Sequence, residues 1–512
     1  MMKRNDFILL LVIFCLTIQS SAQPLRYTQK TFAEVDSFTN VEYATAPRLS
    51  NPVALLADYN IHDGESTTEN QPLLMDIFMP KNDTVQKRPA IIFLHGGAFL
   101  LGSRKNEDMV ALCDSFARRG YLTAAINYRL GMGADVSRFW GIPVGVNVTK
   151  ANARRAVFRA MQDSRAAVRF LKHEAENYGI DTSRIFMTGS SAGAIATLNN
   201  FYLGENEIPH VIAQNPDLGN IDAIGISGYE GSADAAISLW GAIENLEIIE
   251  NKHAPLFLVH GTDDNIVPFK KGIPLEGNVP PNQMITFTMP ETHGSFCIDT
   301  FLTNRDIHPK TWFVKNQKHE FYGVNTGQFV EDGPNHYWDS TIQKTSKFLF
   351  NLIKPKARFE YEIDNRTIAV FNQSGDGLAA KWDFDGIFSS DEWQPAFTFP
   401  DYGNYKVKLA VCNSLMACDT ITHTVNISPT KAPLSIQENL KVYPTPASGY
   451  LKFSGLSLPY DVSVFSLNGQ IQLSKFTVSE NQLDVSRLEN GIYILKIETR
   501  DGLVVEKFVK TD

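Results

Sequence analysis

The sequence predicts an α/β fold, with helices on both faces of a mostly parallel sheet, followed by two small all-β sandwich domains. Three observations carry that expectation. Between Pro24 and Lys354, short continuous apolar runs alternate with stretches of helical periodicity. Such runs suit strands covered on both faces, and strands separated by helices imply parallel pairing through right-handed crossovers. Past Pro355 the helical periodicity vanishes and short alternating strands punctuated by Gly, Asn and Pro take over. A chain of 512 residues also exceeds one ordinary domain and suggests roughly three.

The elements follow in chain order. Lys3 and Arg4 precede an apolar run from Phe7 to Ile18, then Ser20-Ser21-Ala22. A positive start, a short greasy core and small residues are the order of a secretory signal, so residues 1–22 are read as a signal peptide and the mature chain as exported. Cys15 does not make this a lipoprotein site, because bulky Phe14 precedes it. The run is too short to span a bilayer, which needs roughly 20 residues, and no later stretch supplies a transmembrane anchor. Ala90–Leu94, Tyr121–Ile126, Arg184–Thr188, Pro255–Val259 and Thr311–Lys315 read as buried strands. Val157, Met161, Val168 and Leu171 form a helical stripe between the second and third. A linker-like stretch at Ser428–Pro433 divides the β region, so the expected domains are 23–354, 355–428 and 434–512.

Bulk composition excludes some partners. Apolar content of 43% and charged content of 20% are ordinary for a globular protein. A net charge of −9 leaves no basic footprint for nucleic acid or an anionic membrane. In an oxidising compartment Cys412 and Cys418 are close enough to bridge across a turn, whereas Cys113 and Cys297 sit in apolar surroundings and read as free core thiols.

Three motifs carry chemistry. Gly189-Ser190-Ser191-Ala192-Gly193 lies between a strand and a helical run. A serine on that sharp turn is exposed above the sheet edge as a nucleophile, with glycines leaving space for the close approach. His95-Gly96-Gly97-Ala98-Phe99 follows an earlier strand. Its backbone N–H groups at Gly97 and Ala98, joined by that of Ala192, suit a developing oxyanion, while His95 reads as shaping the loop. His260-Gly261-Thr262-Asp263-Asp264-Asn265 follows the fourth strand, where a carboxylate is needed to orient a base. Asp264 is the candidate and Asp263 the alternative. The base comes later in the chain, and its candidates are His293, His308, His319 and His336. His319 is preferred because it follows Thr311–Lys315 closely; His336 is the alternative base, and the other two precede that strand. No Cys/His/Asp cluster has zinc-ligand spacing and no phosphate-cradling Gly-Lys motif occurs, so no metal or organic cofactor is expected.

These motifs, with Asn127-Tyr128-Arg129-Leu130 and Gln162-Asp163-Ser164-Arg165-Ala166-Ala167, resemble the carboxylesterase and hormone-sensitive-lipase branches of the α/β-hydrolases, and among them feruloyl and acetylxylan esterases. The resemblance covers about Leu74 to Lys354. It implies ester hydrolysis through a serine–histidine–aspartate triad, on acylated polysaccharide or on aryl or short-chain esters. Two departures stand out: Ala98 replaces a glycine common in relatives, and residues 320–337 read as an insertion around the histidine loop. The alternatives are a serine peptidase on the same fold and an inactive hydrolase scaffold used for binding or adhesion. Phe139 and Trp140 are candidates either to line an acyl or aryl pocket or to pack elsewhere.

The β region resembles other families. Lys381-Trp382-Asp383-Phe384-Asp385-Gly386 and Tyr402-Gly403-Asn404-Tyr405-Lys406-Val407 are similar to a polycystic-kidney-disease-type (PKD) β-sandwich, in which Asp383 and Asp385 read as turn-forming acids. Val442–Gly449, Leu467-Asn468-Gly469-Gln470, Asp484-Val485-Ser486 and Gly491-Ile492-Tyr493-Ile494 resemble the C-terminal sorting domain of the Bacteroidetes type IX secretion system. That resemblance implies the type IX secretion machinery as partner, with a secreted or surface-held product.

Overall fold

A computed structural model describes residues 26–204, 218–249, 255–277, 285–429, 440–455, 460–467, 469–478, 480–499 and 502–512. The signal-peptide reading of residues 1–22 and most of the linker reading near 428–433 lie outside them.

The first architectural unit is an eight-stranded mixed sheet. Its strands are β1 (Val35–Leu49), β2 (Thr68–Pro80), β3 (Arg88–Leu94), β4 (Leu122–Ile126), β5 (Ile180–Ser190), β6 (Ala235–Leu239), β7 (Leu256–Gly261) and β8 (Lys310–Val314). They lie side by side as β1-β2-β4-β3-β5-β6-β7-β8. β1, β2 and β4 pair antiparallel in turn, and every pair from β4 to β8 is parallel. β3, β4, β6 and β7 are buried along their whole length, as expected of strands covered on both faces. β1 is half exposed, because an edge strand needs only one apolar face.

Side chains alternate across the sheet, and the two sides fill different cores. Ile92, Leu94 and Ala124 pack beneath α2 (Lys150–His173) and α3 (Ala192–Tyr202). Ala236 and Leu258, on that same face, meet α4 (Ser295–Thr303). Ile91, Phe93, Ile237, Phe257 and Val259 point the other way, against α1 (Glu107–Ala117) and α5 (His336–Ile353). α2 begins where Thr149 and Asn152 satisfy each other's backbone N–H groups in a capping box. The five strands expected from apolar runs occur within a residue or a few at each end. β1, β2 and β6 carried no such run. In β6 the sequence AAISL is short and alanine-rich, and it becomes a central strand only because β5 and β7 flank it.

Past residue 355 the described strands pair antiparallel. Two sheets, formed by strands between Phe359 and Ile427, enclose Trp382, Phe384, Val407 and Leu409. Cys412 and Cys418 are bridged at the end of their hairpin. Two further sheets, between Lys441 and Lys510, enclose Leu451, Val462, Val464 and Leu495. Cys113 is free and buried, and Cys297 is free and half-buried.

Candidate active site

Parallel pairing aligns the carboxyl ends of the strands. Leu94 lies opposite Gly189, Ser190 opposite Leu239, and Gly261 opposite Val314. Segments following β3, β5, β7 and β8 therefore emerge along one edge, the usual ligand side of an open parallel sheet.

At the β5–α3 turn Ser191 has φ 54° and ψ −114°. A non-glycine residue in such a conformation is strained and persists only where surrounding structure holds it. Here its N–H donates to Leu239 O at 3.0 Å, and the flanking glycines permit a tight approach. A Cβ on Gly193 would stand 2.2 Å from Leu94 O, and one on Gly189 would stand 2.2 Å from the Gly193 carbonyl. Any side chain at either position would push the turn off the sheet.

Asp264 is held on the loop after β7. Its Oδ1 accepts the N–H groups of Ile266 and Val267 at 2.9 and 3.0 Å. Its Oδ2 faces His319 Nδ1 at 2.7 Å and His260 Nε2 at 3.2 Å. Burial alone would raise the Asp264 pKa, but the hydrogen bonds from His260 and His319 outweigh it and hold the carboxyl well below the usual range. An ionised carboxylate only accepts, so His319 carries its proton on Nδ1. Nε2 is then left to accept from Ser191 Oγ, 2.9 Å away. Ser191, His319 and Asp264 thus form one hydrogen-bonded chain, which is the geometry for activating a serine hydroxyl.

The other candidates stand elsewhere. Asp263 is exposed and takes the hydroxyl of Thr262. His336 is exposed at the start of α5, where its ring lies 3.9 Å from that of Tyr337. His293 contacts Glu244 O and His308 contacts Asp306. His95 is buried, stacked on Tyr128, with Nδ1 donating to Gly96 O at 2.7 Å. Phe139 and Trp140 are 67% and 88% exposed at a hairpin tip and line none of the cavities beside Ser191.

Facing the serine, Gly97, Ala98 and Phe99 all have positive φ, at 111°, 55° and 62°. Among the described residues the N–H groups of Gly97 and Ala98 have no acceptor, and Ala192, first in α3, has none within its helix. Ala98 occupies left-handed backbone that favours glycine, so the replacement strains the loop by about 1–2 kcal/mol while leaving its N–H in place. Gly97, Ala98, Ser191, Ala192 and His319 line a cavity of about 360 Å³.

Sequence reasoning missed several neighbours. Glu320, directly after His319, is buried at the cavity wall and accepts the Thr326 N–H at 2.6 Å. Burial pushes its pKa up. Trp240 Nε1 donates to Ser190 Oγ at 3.0 Å, next to Ser191. His260 bridges Asp264, Val267 O and Ser295 Oγ. His260 lay inside a motif already singled out and Glu320 at the start of the segment read as an insertion; Trp240 had no signal, because β6 itself had none.

Comparison with known proteins adds family information. Residues 22–199 match the carboxylesterase family, and residues 441–511 match a secretion system C-terminal sorting domain. Gut esterase 1 of Caenorhabditis elegans is 29% identical over 147 residues, covering 27% of this chain and 22% of that protein. Chlorogenic acid esterase of Aspergillus niger is 26% identical over 153 residues, 29% of this chain and 27% of that protein. Beta-agarase D of Zobellia galactanivorans is 33% identical over 101 residues, 20% of either chain. The chain thus spans less than a third of the length of these relatives. A propionate-bound thermophilic esterase of Thermogutta terrifontis is 20% identical, with a TM-score of 0.37, over 55% of this chain and 90% of that one.

Proposed function

We propose that this chain, which carries a carboxylesterase-family α/β-hydrolase domain and a secretion-system C-terminal sorting domain, is an exported serine hydrolase of carboxylic esters. The observation that carries the reading is the hydrogen-bonded chain Ser191–His319–Asp264, opening on a cavity that Gly97, Ala98 and Ala192 also line.

His319 Nε2 takes the serine proton as Oγ attacks the ester carbonyl. Asp264, kept ionised by its four donors, holds the imidazole in the right tautomer and stabilises the imidazolium. Negative charge gathers on the carbonyl oxygen, where the three N–H groups stabilise it; one such donor typically contributes about 3 kcal/mol. His319 then gives its proton to the leaving alkoxide, and water repeats the sequence on the acyl-enzyme. Acylated polysaccharides are substrates in keeping with an exported enzyme. The sorting domain supports passage through the type IX secretion machinery to the surface or the medium.

Turnover of a nitrophenyl ester tests the reading. Ser191→Ala is expected to abolish turnover while leaving Tm nearly unchanged, since only one hydroxyl is lost. A wild-type protein that cleaves peptides but no ester would sink it, and so would an active Ser191→Ala.

A further inference from the structure

A second cavity, of about 460 Å³, adjoins the one above Ser191. The two share Phe99, Ile195, Pro274 and Met289 as a common wall. Its body is apolar, built from Val157 and Met161 of α2, Leu203 after α3, and Ile248. Arg154 and Glu244, paired at 2.5 Å and partly exposed, mark its solvent side. The volume lies within the roughly 300–1,000 Å³ typical of small-molecule sites, yet none of the proposed catalytic residues lines it.

Proton transfer decides which part of an ester would enter. His319 must protonate the leaving oxygen, so the alcohol lies on the His319 side, where Glu320, Asn325 and Thr326 present polar groups. The acyl substituent of a tetrahedral centre points away from that side. Phe99 directly follows Ala98, and Ile195 stands one helical turn after Ala192. The shared wall therefore starts at the backbone groups that hold the carbonyl oxygen.

We propose that the second cavity is the acyl site, and that it selects esters whose acid is a long or bulky apolar group and whose alcohol is polar. This rests on the hydrolase reading above. Short acyl groups end before the shared wall and leave the apolar space unfilled. Longer ones pass Ile195 and Met289 and displace water from Val157 and Met161, which is favourable in proportion to the apolar area covered.

The test is a series of p-nitrophenyl esters from acetate to dodecanoate, in which only the acid changes. Wild-type kcat/KM is expected to rise about tenfold or more from acetate to decanoate. Val157→Phe, which fills the cavity, is expected to cut the decanoate-to-acetate ratio by about tenfold, and Val157→Ala to move the optimum to a longer chain. A wild-type profile that peaks at acetate, or one unchanged by both substitutions, overturns the proposal. Calorimetry of decanoate binding to Ser191→Ala, with and without Val157→Phe, needs no turnover and separates the two readings. Binding that Val157→Phe abolishes, beside a wild-type chain that cleaves no ester, upholds the cavity and removes the hydrolase reading. Ester cleavage without decanoate binding does the reverse.

Discussion

His319 and His336 illustrate how sharply position separates like residues. His319 joins Asp264 and Ser191 through its two ring nitrogens, whereas His336 stands exposed on the first turn of α5. In the proposed mechanism His319 both accepts the serine proton and returns it to the leaving group, so its removal would strip out the unit's function. His319→Ala is therefore expected to lower kcat on the order of 10⁴-fold or more. His336→Ala, losing only a surface ring contact, is expected to stay within about twofold in kcat and about 0.5 kcal/mol in stability. Assaying both variants on one ester checks the pair; an inactive His336→Ala beside an active His319→Ala overturns the assignment. His260 acts at the same scale. Its Nε2 lies 3.0 Å from Val267 O, so that nitrogen carries the proton, and it is shared with Asp264. Nδ1 is then the acceptor for the Ser295 hydroxyl, 2.9 Å away.

Among the elements, the small hairpin of Val324–Asn325 and Gln328–Phe329 is the one that the sequence left as an insertion. It is fastened to α1. Gly327 O accepts the Asp108 N–H at 3.2 Å, and Glu107 Oε2 accepts that of Phe329 at 2.8 Å. A side chain at Gly327 would be strained: its φ is 79°, and a Cβ would crowd the Asn106 side chain. Below the hairpin, Tyr322 donates its hydroxyl to Asp108 Oδ2 at 2.9 Å. Burial pushes the Asp108 pKa up to about 7, with Glu320 adding to the rise and the Tyr322 hydrogen bond opposing it. The folded state therefore holds a proton that the unfolded chain releases above about pH 4. The contribution of Asp108 to stability falls as pH climbs from about 4 to about 7, since at this group the folded state binds more protons throughout that window. Asp108→Asn cannot ionise but still accepts from Tyr322. Its Tm is expected to decline less than that of the wild type across the window. Each tenfold difference in proton affinity corresponds to about 1.4 kcal/mol, so the gap should reach several degrees. Parallel Tm profiles for the two proteins would exclude Asp108 as the titrating group.

At the scale of the whole molecule, the first β unit is docked on the hydrolase unit beside α1, the end of α5 and the segment before β1. The turn of the disulfide-bridged hairpin places Leu415, 2% exposed, and Ala417 in the same core cluster as Tyr27 and Phe116. Tyr27 donates its hydroxyl to Leu415 O at 2.9 Å, Asn413 Nδ2 donates to Ile353 O at 2.7 Å, and Lys354 pairs with Asp419 at 2.5 Å. Cutting the chain after residue 354 removes all of these while leaving Ser191, Asp264 and His319 in place. A chain of residues 23–354 is expected to hydrolyse esters within about twofold of residues 23–429. Its Tm should be several degrees lower, because exposing what one buried leucine covers forfeits roughly 1.5–3 kcal/mol. Calorimetry beside an ester assay on the two chains checks both halves; equal Tm values would mean that the contact contributes nothing.

Legibility in the sequence followed the range of the interactions. Continuous apolar runs mark β3 and β7 because burial on both faces is written into consecutive residues, and the turn around Ser191 is marked because strained backbone needs glycines at fixed short spacing. These local requirements were enough for the α/β class and for naming Ser191, Asp264 and the oxyanion loop as candidates. β1, β2 and β6 were not legible, since their strand character comes from pairing partners far away in the chain. The same limit applied to the histidine. His319 lies 128 residues from Ser191 and 55 from Asp264; its short distance from the end of the last strand favoured it over His336, but that spacing says nothing of contact with either partner. Only the folded sheet, by bringing the ends of β5, β7 and β8 to one edge, places one ring between the hydroxyl and the carboxylate. The second cavity is likewise a product of the fold, because its walls come from α2, α3 and loops whose residues meet nowhere in the sequence.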